Sequence, residues 1–383
     1  MRYDVFCKVV DNYGDAAVCW RLSRQLALEH GHALRLWIDR PEALQALCPA
    51  VDAALSRQRV DGVEILLWRE GQAFDEAADV VVEGFGCGLP PAYCEALASR
   101  PGGGVWIVLE YLSAEPWVAT HHGLPSPHPR LPVRRYYFFP GVVPGTGGVL
   151  RAADDAARQS AFEADPGAVS RFWTAAGFPP PAQHACRVSL FGYENAALAP
   201  LLAAWAGAER QTVLAVPAGR LRAQVTAFLG TAAVADGQVV RRGALEVRFL
   251  PFLPQPTYDE LLWASDWNFV RGEDSFVRAQ WAARPFVWHI YPQAEAAHQA
   301  KLKAFLACYC RGLAPGPAAA LEAFWQAWNA PQGPAQAGMA AAWERLVRET
   351  PALRAHAASW AVELGNLGDL AGNLAHFCRE RLK

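Results

Sequence analysis

The chain has 383 residues, enough for two domains of ordinary size that each bury a core of their own. Hydrophobic residues make up 52% and charged residues only 19%, which excludes intrinsic disorder and places the chain among folded globular proteins. Lysine and arginine together number 35 against 37 acids, so no basic excess marks nucleic acid or a membrane surface as a partner.

Taken in chain order, the first half alternates short β-rich runs with segments of helical period. "YDVFCKVV" reads as a strand, followed by a helix from about Ala16, the strand "ALRLWID", a helix from Pro41, and the strands "VEILLW" and "DVVVEGF". A helix around 92–99 and the strand "VWIVLEYL" complete this half. Strands that are apolar on both faces and separated by helices predict a parallel sheet covered on each side. From Thr120 to Gly148 the pattern fails in a Pro/Gly-rich stretch expected to be loop. Alternation restarts at "CRVSLFGY" and runs through "TVLAVP", "VRFLPF", "WNFVRG" and "PFVWHIY", each followed by a helical segment, which predicts a second α/β unit. After about Ala318 the chain reads as helical and ends in an amphipathic helix through Leu370, Leu374 and Phe377.

Nine cysteines lie at 7, 19, 48, 87, 94, 186, 308, 310 and 378, with no C-x-x-C pair, and read as reduced thiols. The N-terminus enters a strand at once without signal-sequence features, and apolar segments are interrupted well short of the roughly 20 residues of a membrane span. A soluble cytoplasmic protein is expected. The histidines of "THHGLPSPHP" lack zinc spacing and "AADDAA" lacks calcium-loop spacing, so no metal is expected.

Two loops stand out. In "VFCKVVDNYGD" a strand hands over to a helix through Asp11, Gly14 and Asp15. One carboxylate there is an ordinary helix cap, but two at the carboxyl edge of a sheet exceed what a cap needs, and a helix N-terminus favours their ionised form. Such a pair can act as a base or grip a cation. Glycine spacing for a dinucleotide is missing, since "GFGCG" from Gly84 does not have it. In "NFVRGEDSFVRAQ" a strand ends near Val270, and Asp274 or Ser275 can cap the next helix, whose free N–H groups suit a diphosphate. Phe191, Tyr193, Phe252 and Tyr291 fall at neighbouring strand ends, where flat rings could stack on a base. Glu110 ends "VWIVLEYL" on the same rim as the aspartates.

"FCKVVDNYGD", "EYLSAE", "LFGY", "PFLPQ" and above all "RGEDSFVRAQWAARPFVWHIYPQ" resemble the bacterial protein-arginine rhamnosyltransferases that modify elongation factor P, from about Tyr3 to the C-terminus. The resemblance implies a GT-B glycosyltransferase: two Rossmann-like domains facing each other across a cleft. It implies metal-independent transfer of L-rhamnose, with inversion, from dTDP-β-L-rhamnose to an arginine of elongation factor P, activating that factor for polyproline translation. The implied organisation is an acceptor-binding domain at 1–153, a linker region at 154–183 and a nucleotide-sugar domain at 184–358. Residues 359–383 would return as a helix to the first domain. Asp15 becomes the expected base, with Asp11 beside it and Glu273 as a further catalytic acid. Phe191, Tyr193, Phe252, Gln255, Arg271, Asp274, Ser275 and Tyr291 would line the donor pocket, and Glu110 is an acceptor-side candidate. From the residues alone, a two-domain NAD-dependent oxidoreductase and a non-catalytic nucleotide-binding protein remain as alternatives.

Overall fold

The apolar run near the start forms strand β1 (Arg2–Cys7) in the computed structural model, which describes residues 1–383 apart from 11–12, 102, 232–233, 294–296, 331–337 and 383. Then come α1 (Gly14–Leu28), β2 (Ala33–Ile38), α2 (Pro41–Leu47), β3 (Arg57–Val60), β4 (Val63–Leu67), β5 (Val80–Gly84), α3 (Pro91–Ala98), β6 (Val105–Leu109), α4 (Pro116–His121), β7 (Pro125–Pro127) and β8 (Arg134–Phe138). They build an eight-stranded sheet ordered β3-β4-β2-β1-β5-β6-β8-β7. Neighbours are parallel except at the two edges, β3–β4 and β7–β8. The valine run of β5 is buried along its whole length, as a strand covered on both faces must be.

The antiparallel edges depart from the expected all-parallel sheet, and both have local causes. Asp61 and Gly62 take positive φ angles of 47° and 78°, the two-residue type I′ turn that folds β3 onto β4. Strands β7 and β8 both lie inside the stretch expected to be loop: β8 pairs with β6, and β7 is bounded by prolines, which an edge strand tolerates because one side of it carries no ladder bonds.

The second sheet is built from β9 (Cys186–Leu190), β10 (Thr212–Pro217), β11 (Val239–Arg242), β12 (Leu245–Leu250), β13 (Trp267–Arg271) and β14 (Phe286–His289), in the order β11-β12-β10-β9-β13-β14. Only β11 is antiparallel to its neighbour. Helices α5 (Ala153–Ala164) and α6 (Ala168–Ala175) precede it, and α7 (Leu198–Ala206), α8 (Arg222–Leu229), α9 (Gln255–Ala264) and α10 (Asp274–Trp281) lie between its strands. Helices α11 (Ala297–Tyr309), α12 (Pro315–Trp328), α13 (Met339–Arg348), α14 (Thr350–Gly365) and α15 (Leu370–Arg381) close the chain.

The chain divides into one unit of Met1–Asp155 with Leu364–Lys383 and a second of Ala156–Glu363. The segment 154–183, expected as a linker region, carries most of α5 and all of α6. Phe172 and Trp173 of α6 pack with Ala215, Leu250 and Leu261, so α6 belongs to the second unit's core. Within the first unit, α15 returns against α1: the Gln25 amide donates to Asp369 Oδ1 at 2.8 Å, and the same oxygen caps α15 by accepting from Gly372 N–H at 2.9 Å. No helix among the described residues is long and apolar enough to cross a membrane.

Candidate active site

In the first unit, the loop after β1 delivers Asp15 as the second residue of α1, almost wholly buried at 2% exposure. Asp15 is not the cap that a single carboxylate suggests. The N-cap position is Tyr13, and Asp15 Oδ2 instead accepts from Val10 N–H at 2.8 Å, tying the loop after β1 to the start of the helix. A carboxylate so placed is stabilised in its charged form by the helix N-terminus and by the backbone donor. Beneath it lie thiols. Cys7 is pushed well above the usual thiol range by its hydrogen bond with Cys19, by burial and by the charges of Cys19 and Asp15, and burial likewise raises Cys87. These thiols stay protonated and serve as packing. Asp11 lies outside the described residues. Glu110 is half-buried immediately after β6, its N–H donating to Phe138 O at 3.0 Å, and the order β1-β5-β6 puts it on the same sheet edge as the Asp15 loop.

In the second unit, β9, β12, β13 and β14 run in one direction, so the segments that follow them leave from one carboxyl edge. Arg271 is the last residue of β13 and is 7% exposed. Its guanidinium carbon lies 4.6 Å from the ring centre of Phe191 and 4.7 Å from that of Tyr193, and its Nη1 is a buried nitrogen with no hydrogen-bond partner among the described residues. Tyr193 is buried and meets Tyr291 edge-on at 5.4 Å; Tyr291 is 46% exposed. Phe252 is half-buried between β12 and α9, and Gln255 is the buried first residue of α9.

The start of α10 differs from the expected capping. Glu273 occupies the N-cap position and makes no side-chain cap bond. The Ser275 hydroxyl turns back instead, donating to Arg271 O at 2.5 Å and accepting from Arg271 N–H at 3.0 Å, so it staples the helix start to the strand end. Gly272 takes φ +59°, which the turn between them requires, and its carbonyl accepts from Trp288 Nε1 at 2.8 Å. Glu273 and Asp274 are half-buried in the first turn. The helix is anchored further along by a buried two-pronged pair, Arg278 to Asp259 at 2.9 and 3.1 Å.

Two residues that sequence reasoning missed complete this edge. His289 is buried, and its Nδ1 accepts from Tyr193 N–H at 3.3 Å. Burial, reinforced by the charge of Arg271, lowers its imidazole to about 4, so it is neutral at physiological pH. Tyr258 meets Phe191 edge-on at 5.7 Å with its hydroxyl beside Ser275; burial raises its phenol. The signal for His289 was a polar residue in an otherwise apolar run, which spacing does not distinguish from packing; Tyr258, in "PTYDE", carried none.

This edge therefore combines an aromatic cluster, a buried cation with an unmet donor and the positive end of a helix, a set suited to an aromatic base carrying phosphate groups. Among the described residues no group of three or more histidines, cysteines or acids is placed to hold a metal ion.

Comparison with known proteins bears on both edges. The family described as Elongation-Factor P (EF-P) rhamnosyltransferase EarP matches residues 3–379. A protein-arginine rhamnosyltransferase of Pseudomonas aeruginosa is 47% identical over 375 residues, covering 98% of each chain. A solved structure concerned with EarP-mediated arginine glycosylation of translation elongation factor EF-P is 35% identical, with a TM-score of 0.71 and 99% of each chain covered. The spinosyn rhamnosyltransferase SpnG, 15% identical with a TM-score of 0.51 over 98% of this chain and 99% of that one, shares the fold. With a family match spanning nearly its whole length and two Rossmann-like sheets, this chain belongs to the elongation factor P rhamnosyltransferase family, enzymes of the GT-B glycosyltransferase fold.

Proposed function

We propose that this chain transfers L-rhamnose from dTDP-β-L-rhamnose to an arginine side chain of elongation factor P, with inversion at the anomeric carbon, in the cytoplasm and without a metal ion. The observation that carries the donor half is Arg271: a buried guanidinium between Phe191 and Tyr193, one nitrogen unpartnered, beside the N-terminus of α10. A diphosphate would take that nitrogen's hydrogen bond and accept from the first N–H groups of α10, both preorganised before the leaving group gathers charge. Phe191, Tyr193, Phe252 and Tyr291 would hold the thymine and ribose, with Gln255 and Asp274 as polar partners.

The chemistry explains the carboxylates. An arginine guanidinium is protonated in water and a poor nucleophile, so the enzyme must orient it and take a proton as its nitrogen bonds to carbon. In a single displacement the acceptor nitrogen attacks the anomeric carbon, the bond from that carbon to the diphosphate oxygen breaks, and dTDP leaves. Asp15 receives the proton. Its fixed position, held by Val10 N–H, suits a base that must stay ionised and aimed. Asp11 would share the cation, and Glu273 would contact the sugar or the acceptor guanidinium. Incubation with dTDP-rhamnose and elongation factor P, followed by peptide mass spectrometry, tests the reading. A deoxyhexose on one arginine is expected, and an unmodified factor with intact, donor-bound enzyme would overturn it.

A further inference from the structure

The loop after β5, Gly84–Gly88, takes no part in the chemistry above, yet it is built under constraint. Gly84 leaves no room for a side chain: a Cβ there would lie 2.8 Å from Phe6 O and 2.9 Å from Cys19 Sγ. The next residue, Phe85, has φ +55°, in the left-handed region that bulky residues avoid. Every side of the loop is pinned. Phe85 N–H donates to Leu109 O at 2.7 Å, and the buried Glu83 carboxylate accepts from Gly88 N–H at 2.8 Å and from Trp106 Nε1 at 2.9 Å. A glycine or asparagine at position 85 would fit this backbone without strain, and Gly86 and Gly88 further along the loop have positive φ too.

Core packing does not explain the phenylalanine. Its ring is only half-buried and stacks on Tyr111, 4.5 Å between centres and 20° between planes, and Tyr111 is itself 40% exposed. The fold therefore holds a strained residue in place to present a pair of stacked rings at the sheet edge. Strain of this kind persists where the surroundings over-determine it and collects at functional sites. Strand order fixes where the rings stand. β5 lies between β1 and β6, with Phe6 opposite Glu83 and Gly84 opposite Leu109, so Phe85 and Tyr111 emerge beside the loop that delivers Asp15 and next to Glu110.

A planar cation is what such rings bind best, and a guanidinium stacks on an aromatic face in a way that an ammonium does not. We propose that the Phe85–Tyr111 stack is the platform on which the acceptor's arginine lies, with its flat face on the rings and its edge toward the carboxylates. The stack selects guanidinium and orients it for attack. This rests on the reading that arginine is the acceptor.

The test uses the full chain with three substitutions, measuring acceptor KM, kcat, dTDP-rhamnose affinity and thermal melting. Tyr111→Leu is expected to raise acceptor KM by about 2- to 30-fold with donor affinity unchanged, the range of a ring–cation contact. Tyr111→Phe, which keeps the face, stays within about twofold of wild type. Phe85→Gly melts no lower than wild type, because the strain is relieved, yet has a raised acceptor KM. Wild-type acceptor KM in Tyr111→Leu or in Phe85→Gly, or a Tyr111→Phe protein as impaired as Tyr111→Leu, overturns the platform while leaving the transferase reading intact. A wild-type enzyme that binds dTDP-rhamnose but modifies no arginine overturns both.

Discussion

Replacing Arg271 by methionine separates what the buried guanidinium does for the free protein from what it does for a ligand. In the free protein, Arg271→Met removes a buried nitrogen with no partner, a group whose burial costs about 1–3 kcal/mol. It also removes two ring–cation contacts at 4.6 and 4.7 Å, worth about 0.5–2 kcal/mol each, while the thioether still packs against both rings. The two effects offset each other to within about 1 kcal/mol, so the melting temperature should move by no more than about 4 °C. Ligand binding has no such compensation. A hydrogen bond between charged partners contributes about 1.5–3 kcal/mol, so the dissociation constant for dTDP-rhamnose should rise about 10- to 150-fold. Calorimetric titration of the nucleotide sugar into both proteins reads this directly. A dissociation constant within threefold of wild type, in a protein of unchanged melting temperature, would mean that the guanidinium does not meet the diphosphate.

Other outcomes follow from the same geometry. Asp15→Asn keeps the Val10 hydrogen bond through its amide oxygen but cannot accept the acceptor's proton, so kcat should fall by about 10²- to 10⁴-fold with dTDP-rhamnose still bound; single-turnover transfer at the wild-type rate would remove Asp15 as base. Ser275→Ala breaks both bonds that staple α10 to β13 and should destabilise by about 1–2 kcal/mol while weakening donor binding several-fold, read by denaturant titration and by calorimetry; unchanged values for both would show the staple to be idle. His289, lowered from 6.5 to about 4 when folded, binds its proton more readily when unfolded. Its neutral form is therefore fully retained above pH 6.5, and as pH falls from there to about 4 the folded state loses up to about 3 kcal/mol. NMR of the imidazole should show no titration above pH 5, and a midpoint near 6.5 would contradict its burial.

Periodicity made the two α/β units legible because strands buried on both faces leave continuous apolar runs, as in the valines of β5 and the whole of β6, whatever the rest of the chain does. The edge strands β3, β7 and β11 escaped because they are short and at most half-buried, and β8 because two arginines open it, so none leaves a long apolar run. The same limit hid α6, whose Phe172 and Trp173 commit it to the second core: which unit a helix joins depends on partners distant in sequence. At the candidate site, the strand ends located Arg271, Tyr193 and Tyr291, but capping rules misplaced Ser275. Its hydroxyl had two routes, forward to a helix amide or backward to Arg271, and the tight turn at Gly272 favours the backward one.

Where local rules fail is itself informative. Most of the chain obeys them: prolines open α2, α3, α4, α9 and α12, and the left-handed Gly230 closes α8. Other positions do not, and two of them stand at a sheet's carboxyl edge. Arg271 buries a donor with no acceptor among the described residues, and Phe85 holds a bulky side chain at a backbone angle suited to glycine. Each carries a local cost in the free protein, and each stands where ligands of doubly wound folds bind. A phosphate would satisfy the first and a guanidinium would cover the rings that the second presents. The donor and acceptor of an arginine-modifying transferase carry these two groups, so one reaction accounts for defects that folding alone leaves unexplained.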